Sequence, residues 1–402
     1  MLSLAAANDL IWEKFQHLPV GYEVVDVLDC LDRIVAQDIV SGVDVPGFSR
    51  SMCDGYAVLA GDTQVASEDH PAVLRCLGEV PPGGDAALPI KEGQCLYVST
   101  GSMLPAGADA VVMVEQTRPT DEDFVLVYKG VTSGERVIQR GDDIKTGQLV
   151  IARGESLSPR HIGALVAAGI YQVNVFARPR FAIISTGDEL VDNGQEPVAG
   201  QIRDSNSYAL QAFITKAGGE VVRRVLVKDN RELYEQELAK AIDSADMVLI
   251  SGGCSVGTRD YTAAAINGLP GEGVFIQGVN IRPGRPLIVG ECMGKPVFGL
   301  PGHPIAPVLL FKIVVEKLWH RLIDYQYKND KVTAVVNFDM RPALYTHLLV
   351  QLEKRDDFIC AQPASPGNPA QTSAISRADG YIWIKDPEAG LSRGQIAEVM
   401  VF

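Results

Sequence analysis

The 402-residue chain has no CxxC pair and no apolar run approaching the ~18 residues of a membrane span. It has neither a GxxxxGK[ST] phosphate loop nor a GxGxxG dinucleotide fingerprint, so no classical NTPase or nicotinamide dehydrogenase is signalled. Its seven cysteines (Cys30, Cys53, Cys76, Cys95, Cys254, Cys292, Cys360) are odd in number and widely spaced. Zinc ribbons and iron–sulfur sites are therefore unsupported, and reduced thiols in a cytoplasmic protein are expected. Positive charge is also in deficit: 36 Lys and Arg stand against 50 Asp and Glu, a net charge of −14. A nucleic-acid binder would normally carry a basic face, so no nucleic-acid partner is expected. An anionic ligand stays open, because local clusters can oppose the global sign. The opening MLSLAAANDLIWEKF has no basic stretch and meets Glu13 early, which makes it a poor signal peptide. No membrane association is expected.

What is present is an ordinary globular composition, 47% hydrophobic and 21% charged. The length suggests roughly two to four domains. LAAANDLIWEKF has helical spacing, and VVDVLDCLDRIVAQDIV repeats it less cleanly, so the first 40 residues read as helical. From about 41 to 145, short β-type runs (AVLRCLGEV, GQCLYVST, DAVVMVEQT, DFVLVYKG) alternate with Gly and Pro turns and predict a β-rich unit. LSPRHIGALVAAGI predicts a helix with Ser158 as N-cap and Pro159 in the first turn. From about 177, strands and helices alternate, with Asp229 read as the cap of NRELYEQELAKAIDSA. That alternation predicts a three-layer α/β domain on a largely parallel sheet. After about 326 only short β-type runs follow, which predicts a small β domain.

In open α/β sheets, ligands bind beyond the carboxyl ends of the strands. Two predicted ends carry unusual chemistry. IISTGDEL places Asp188 and Glu189 after a strand, and LISGGCSVGTRDY places Ser251, Gly252, Gly253, Ser255, Gly257 and Asp260 after another. Glycine pairs let backbone N–H groups approach a phosphate, and nearby carboxylates can hold Mg²⁺ against it. The bland alternative is a set of tight turns. GCSVG also fits the G-x-S-x-G nucleophile elbow. Asp260, only five residues after Ser255, is too close for a usual triad acid, and no HGGG-type segment precedes it. NIRPGRPL sets Arg282 and Arg285 around a Pro-Gly turn, guanidinium forks suited to an oxyanion. FGLPGHP adds Pro301 and His303. In the β-rich stretch, SMCDGYAV presents Asp54, STGSMLPAGADAVVMVE presents Thr100, and RGDDI presents Asp142 and Asp143.

Taken together, SMCDGYAV, STGSMLPAGADAVVMVE, RGDDI, STGDEL, GQIRDSN, SGGCSVGTRDYT, RPGRP and GLPGHP are collinear over residues 1–325. In order and spacing the chain resembles the molybdopterin molybdenumtransferases, the molybdenum cofactor insertion family that includes the gephyrin E domain. The resemblance implies a multidomain α/β plus β fold: a three-layer molybdopterin-binding-type domain (1–21 and 177–325), a β-rich insertion domain (41–145), a linking domain (22–40 and 146–176) and a C-terminal β domain (326–402). It implies a homodimer with the cleft between subunits, and the upstream molybdopterin adenylyltransferase as a partner. It implies reaction of adenylylated molybdopterin with molybdate, aided by Mg²⁺, to give molybdenum cofactor and AMP.

Residue by residue, the resemblance gives Asp54, Asp188, Glu189 and Asp260 catalytic roles. Asp188, Glu189 and Asp229 would hold the metal. Thr100, Asp143, Ser251, Gly252, Gly253, Ser255, Gly257, Arg282, Arg285, Pro301 and His303 would bind the pterin nucleotide or the oxyanion. The chain departs from the family pattern at Arg282 and Arg285, where lysines are usual, and at His303, where Asn is usual. In the C-terminal β domain His347 is the nearest candidate for a usual Arg, and no Gln-Gly-Ser turn is found. These departures keep two other expectations alive: a catalytically altered or non-catalytic pterin-binding paralogue, and a nucleotide-processing enzyme (adenylyltransferase or hydrolase) on the same scaffold.

Overall fold

The computed structural model describes residues 1–253, 261–325, 331–340, 346–355, 357–365, 371–384 and 389–402. Its largest core lies on a six-stranded mixed sheet. The strands run, edge to edge, Glu220–Val227, Arg180–Thr186, Met247–Ser251, Lys295–Leu300, Ile288–Cys292 and Gly273–Gln277. The first three pairings are parallel and the last two antiparallel. Both faces of the central strands Arg180–Thr186, Met247–Ser251 and Lys295–Leu300 are covered, so these read as near-continuous apolar runs. Along Arg180–Thr186 the side chains alternate between two cores. Phe181 and Ile183 pack with the helices Leu4–Phe15, Asn206–Lys216 and Ile305–Leu310. Ala182 and Ile184 pack with Tyr234, Leu238 and Ile266 on the other side. This is the three-layer arrangement expected of the alternating pattern.

The helix Leu4–Phe15 forms because Ala7, Ile11 and Phe15 recur at four-residue spacing and bury one stripe, while the Ser3 hydroxyl accepts the Ala6 N–H at 3.2 Å. The helical expectation for 22–40 is not met. Tyr22–Asp26 is a strand, antiparallel to Gln172–Phe176, and Ile39–Val40 pairs with Leu149–Ile151. The valines of this run favour extended backbone. The Asp26 carboxylate accepts the Leu28 N–H at 2.9 Å and turns the chain before a helix can start.

Between these segments sits a second six-stranded sheet, ordered Ala110–Met113, Gly55–Val58, Gln94–Val98, Ala72–Val80, Phe124–Val127 and Thr117–Pro119. Its small cores contain Tyr56, Val58, Leu74, Val112 and Val125 on one side and Ala57, Leu96, Val98 and Val111 on the other. At the carboxyl end of the chain, Lys331–Val336, Phe358–Pro363, His347–Arg355, Gly380–Trp383 and Ile396–Val401 close into a five-stranded barrel. The fold is thus multidomain, α/β plus β.

Candidate functional site at the carboxyl edge of the α/β sheet

Strand direction places the site. The parallel strands ending at Val227, Thr186, Ser251 and Leu300 release their loops at one edge of the sheet. Two successive antiparallel steps return Gly273–Gln277 to the same direction, so the loop 278–287 leaves from that edge as well. The first four loops therefore leave strands about one spacing, ~4.8 Å, apart, and the loop after Gln277 leaves a strand two spacings beyond Lys295–Leu300. This row gathers Asp188, Glu189, Asp229, Ser251, Gly252, Gly253, Arg282, Arg285, Pro301 and His303 along one edge.

At one end of the row the carboxylates brace each other through the backbone. The Asp229 N–H donates to Asp188 Oδ1 at 3.1 Å, and the Thr186 hydroxyl donates to Asp229 Oδ1 at 3.1 Å. Lys228 Nζ donates to the carbonyls of Asp188 (3.0 Å) and Leu190 (2.7 Å), a brace that sequence reasoning missed. Asp229 is not the helix cap. That role falls to Asn230, whose side chain accepts the Leu233 N–H at 3.0 Å. Asp229 is thereby left on the site side. Gly187 has φ +152°, and a Cβ there would lie 2.7 Å from both Glu189 carboxylate oxygens. The missing side chain makes room for that carboxylate.

The middle of the row is glycine. Gly252 has φ +102°, and a Cβ on it would lie 2.4 Å from the Thr186 carbonyl oxygen. Its N–H donates to the Leu300 carbonyl at 3.1 Å, so three loops stack directly on one another. Asn206, at the start of the helix Asn206–Lys216, ties two of them. Its Nδ2 donates to Ser251 Oγ at 3.0 Å and to the Gly302 carbonyl at 2.8 Å. Asn206 belongs to the GQIRDSN motif, yet only the fold shows what it reaches. His303 and Gly302 are exposed, and the His303 carbonyl accepts the Ala306 N–H to open the next helix. Ser255, Gly257 and Asp260 lie outside the described residues.

At the far end, Arg282 and Arg285 are exposed. The Arg282 carbonyl accepts the N–H groups of Thr346 and His347, which docks the barrel against this loop. His347 does not present a cation to the site. It is only 4% exposed, its ring hydrogen-bonds the Thr346 hydroxyl at 3.0 Å, and burial pushes its pKa down to about 4, with Lys317 adding to the effect. A buried neutral imidazole is no substitute for an exposed guanidinium.

The insertion carries a separate group. Thr100 donates both its N–H (2.6 Å) and its hydroxyl (2.9 Å) to Asp54 Oδ1. These bonds hold the Asp54 carboxyl below the ordinary carboxylate range. The residues 46 apart meet because Gly55–Val58 and Gln94–Val98 pair antiparallel, Gly55 opposite Val98. On its other side Gly55 lets the strand Ala110–Met113 approach, since a Cβ there would lie 2.0 Å from the Val112 carbonyl oxygen. Asp143 is exposed, and its N–H donates to the Val45 carbonyl at 3.0 Å. Asp54 and Thr100 thus flank strands of a different sheet from the edge row, and Asp143 lies in the loop between Val137–Ile138 and Leu149–Ile151.

Asp188, Glu189 and Asp229 supply only carboxylate oxygens, the donors a hard cation such as Mg²⁺ takes. Among the described residues no three Asp, Glu, His or Cys side chains converge as a complete ligand set. Mg²⁺ is commonly held by one or two carboxylates together with substrate phosphates. The donor set and the space over Gly187 fit that mode.

Comparison with known proteins identifies the lineage of this arrangement. The model of the MoeA N-terminal region (domain I and II) matches residues 2–169, and that of a probable molybdopterin binding domain matches residues 182–321. A putative molybdopterin biosynthesis protein of Methanocaldococcus jannaschii is 33% identical over 99% of this chain and 98% of its own. A molybdopterin molybdenumtransferase of Nostoc is 36% identical over 75% of this chain and 69% of its own. The Haemophilus influenzae enzyme of that name is 32% identical over 80% and 78%. A crystal structure of a molybdopterin biosynthesis MoeA protein from Pyrococcus horikoshii superposes with a TM-score of 0.90 at 37% identity. It covers 100% of this chain and 99% of its own. A second such protein from Pyrococcus horikoshii gives 0.81 at 27% identity, covering all of both chains. The chain belongs to the MoeA family, the molybdopterin molybdenumtransferases.

Proposed function

We propose that this chain transfers molybdenum from molybdate into adenylylated molybdopterin, releasing AMP and molybdenum cofactor. The family supports the reaction class. One observation carries the site: paired carboxylates and paired positive-φ glycines stand side by side on adjacent strand ends, Asp188–Glu189 beside Gly252–Gly253. The reaction breaks an activated phosphate linkage and must hold phosphates and a tetrahedral oxyanion together.

In this reading the Gly253 N–H binds the phosphates, while the Gly252 N–H stays on the Leu300 carbonyl and holds the loop in place. Arg282 and Arg285, on the same edge, orient the molybdate oxyanion. Asp188, Glu189 and Asp229 would hold Mg²⁺, which when bound neutralises phosphate charge. Asp54, kept ionised by Thr100, would enter the cleft from the insertion of a second copy, since within one chain it sits on a different sheet. The working unit is therefore a homodimer, cytoplasmic, fed by the adenylyltransferase that makes its substrate. We further place domain boundaries at 22–40 with 146–176, at 41–145, at 1–21 with 177–325, and at 326–402. The hydrophobic cores support this division: two are drawn from 53–137, one from 25–175 and one from 334–399.

The test is AMP release and cofactor formation by purified protein given adenylylated molybdopterin, molybdate and Mg²⁺. Glu189→Gln and Asp54→Asn should each lower turnover at least about a hundredfold, with melting temperature nearly unchanged. Pterin binding without AMP release by the unaltered protein would instead identify a non-catalytic paralogue. AMP release that ignores molybdate would identify a nucleotide-processing enzyme.

A further inference from the structure

Asn206 stands apart from the groups just assigned, because its side chain touches two loops of the edge row and belongs to neither. Both hydrogens of its amide are committed, one to Ser251 Oγ and one to the Gly302 carbonyl. The helix start that carries it is itself fixed. Asp204, 6% exposed, accepts the Ser207 N–H at 3.2 Å and the Ser207 hydroxyl at 2.6 Å, and Arg224 donates to Ser207 Oγ at 3.3 Å. The amide is thus delivered from a braced support onto a segment whose backbone is also held at two points, the Gly252 N–H on the Leu300 carbonyl and the Gly253 carbonyl accepting from the Thr262 hydroxyl at 3.2 Å. Gly252 and Gly253 have no side chains, and both hold positive φ, +102° and +64°. Glycine loses the most conformational freedom on ordering, so such a segment keeps the Gly253 N–H aimed only if neighbours impose the shape.

We propose that Asn206 is a positioning residue: it clamps the loop after Ser251 to the loop after Leu300 and so fixes the Gly253 N–H that receives the substrate's phosphates. This rests on the transferase reading above. The chemistry is specific to a carboxamide. Alanine removes both donors. Aspartate keeps the shape but sets a carboxylate against the Gly302 carbonyl oxygen, so it should be at least as harmful as alanine.

The experiment compares unaltered protein, Asn206→Ala and Asn206→Asp in three measurements. In steady-state assays with adenylylated molybdopterin, the KM of Asn206→Ala should rise about tenfold while kcat changes less than about threefold, the pattern of lost binding order. Asn206→Asp should show an equal or larger rise. Melting temperatures should stay within a few degrees, because the site is solvent-edged. Hydrogen–deuterium exchange should quicken at 251–253 and 301–303 in both variants. An active unaltered protein whose variants keep its KM overturns the clamp, and so does unchanged exchange at those two segments. If the unaltered protein shows no turnover, the transferase reading fails, while the exchange comparison still decides the clamp.

Discussion

At the scale of single residues, the site is set by where a side chain is present and where one is missing. Thr100 depresses the Asp54 pKa, first through its N–H and then through its hydroxyl. A carboxyl depressed in the folded state favours folding above its ordinary pKa, and the contribution is lost as pH falls through the depressed value. Thr100→Ala removes the hydroxyl bond and leaves the N–H bond. The Asp54 titration, followed by carboxyl NMR, should therefore move partway back up, and an unmoved midpoint would exclude a role for the hydroxyl. Two neighbouring glycines should behave oppositely. Gly252→Ala forces a Cβ to 2.4 Å from the Thr186 carbonyl oxygen at a left-handed φ. It should cost about 1–3 kcal/mol in urea unfolding. Gly302→Ala meets nothing nearer than 3.9 Å, so its unfolding midpoint should barely move.

At the scale of elements, one shift in capping decides what a carboxylate is free to do. Sequence reading gives the cap of the helix Arg231–Ser244 to Asp229, whereas the chain gives it to Asn230. Both are good capping residues, and periodicity cannot separate neighbours. Only the parallel pairing of Arg180–Thr186 with Glu220–Val227, which brings Asp188 and Thr186 to Asp229, settles the matter. Asn230→Ala should then destabilise the protein by about 1 kcal/mol in denaturant. Asp229→Ala should cost less in stability and more in turnover. A larger stability loss at Asp229 than at Asn230 would reverse the assignment.

At the scale of the whole molecule, the barrel docks on the α/β unit through the Arg282 loop, and a buried neutral imidazole sits in that joint. His347 faces Thr346, Tyr381 and Lys317. With a folded pKa of about 4 against the ordinary 6.5, the unfolded chain binds the proton first. Stability should therefore fall as pH drops from about 6.5 to about 4, by up to roughly 3 kcal/mol. His320, pushed down to about 3 by burial, adds to the same window. His347→Gln should flatten, without abolishing, the pH dependence of the melting temperature there, and an unchanged slope would show that His347 is not buried neutral.

The sequence by itself determined a good deal. Apolar runs alternating with amphipathic helices specify a covered α/β sheet, and Gly-rich turns after strands mark the edge that carries the candidate site, because both signals are local. The carboxylates and glycines of that edge were legible one loop at a time. Tertiary structure decided the rest. It turned 22–26 into a strand, because the partner strand lies about 150 residues away. It buried His347 in the barrel joint, and it brought Thr100 onto Asp54 through strand pairing. It also made Asn206 the tie between two loops. Each of these depends on which strand neighbours which, and strand order is fixed by long-range pairing and burial rather than by any local pattern.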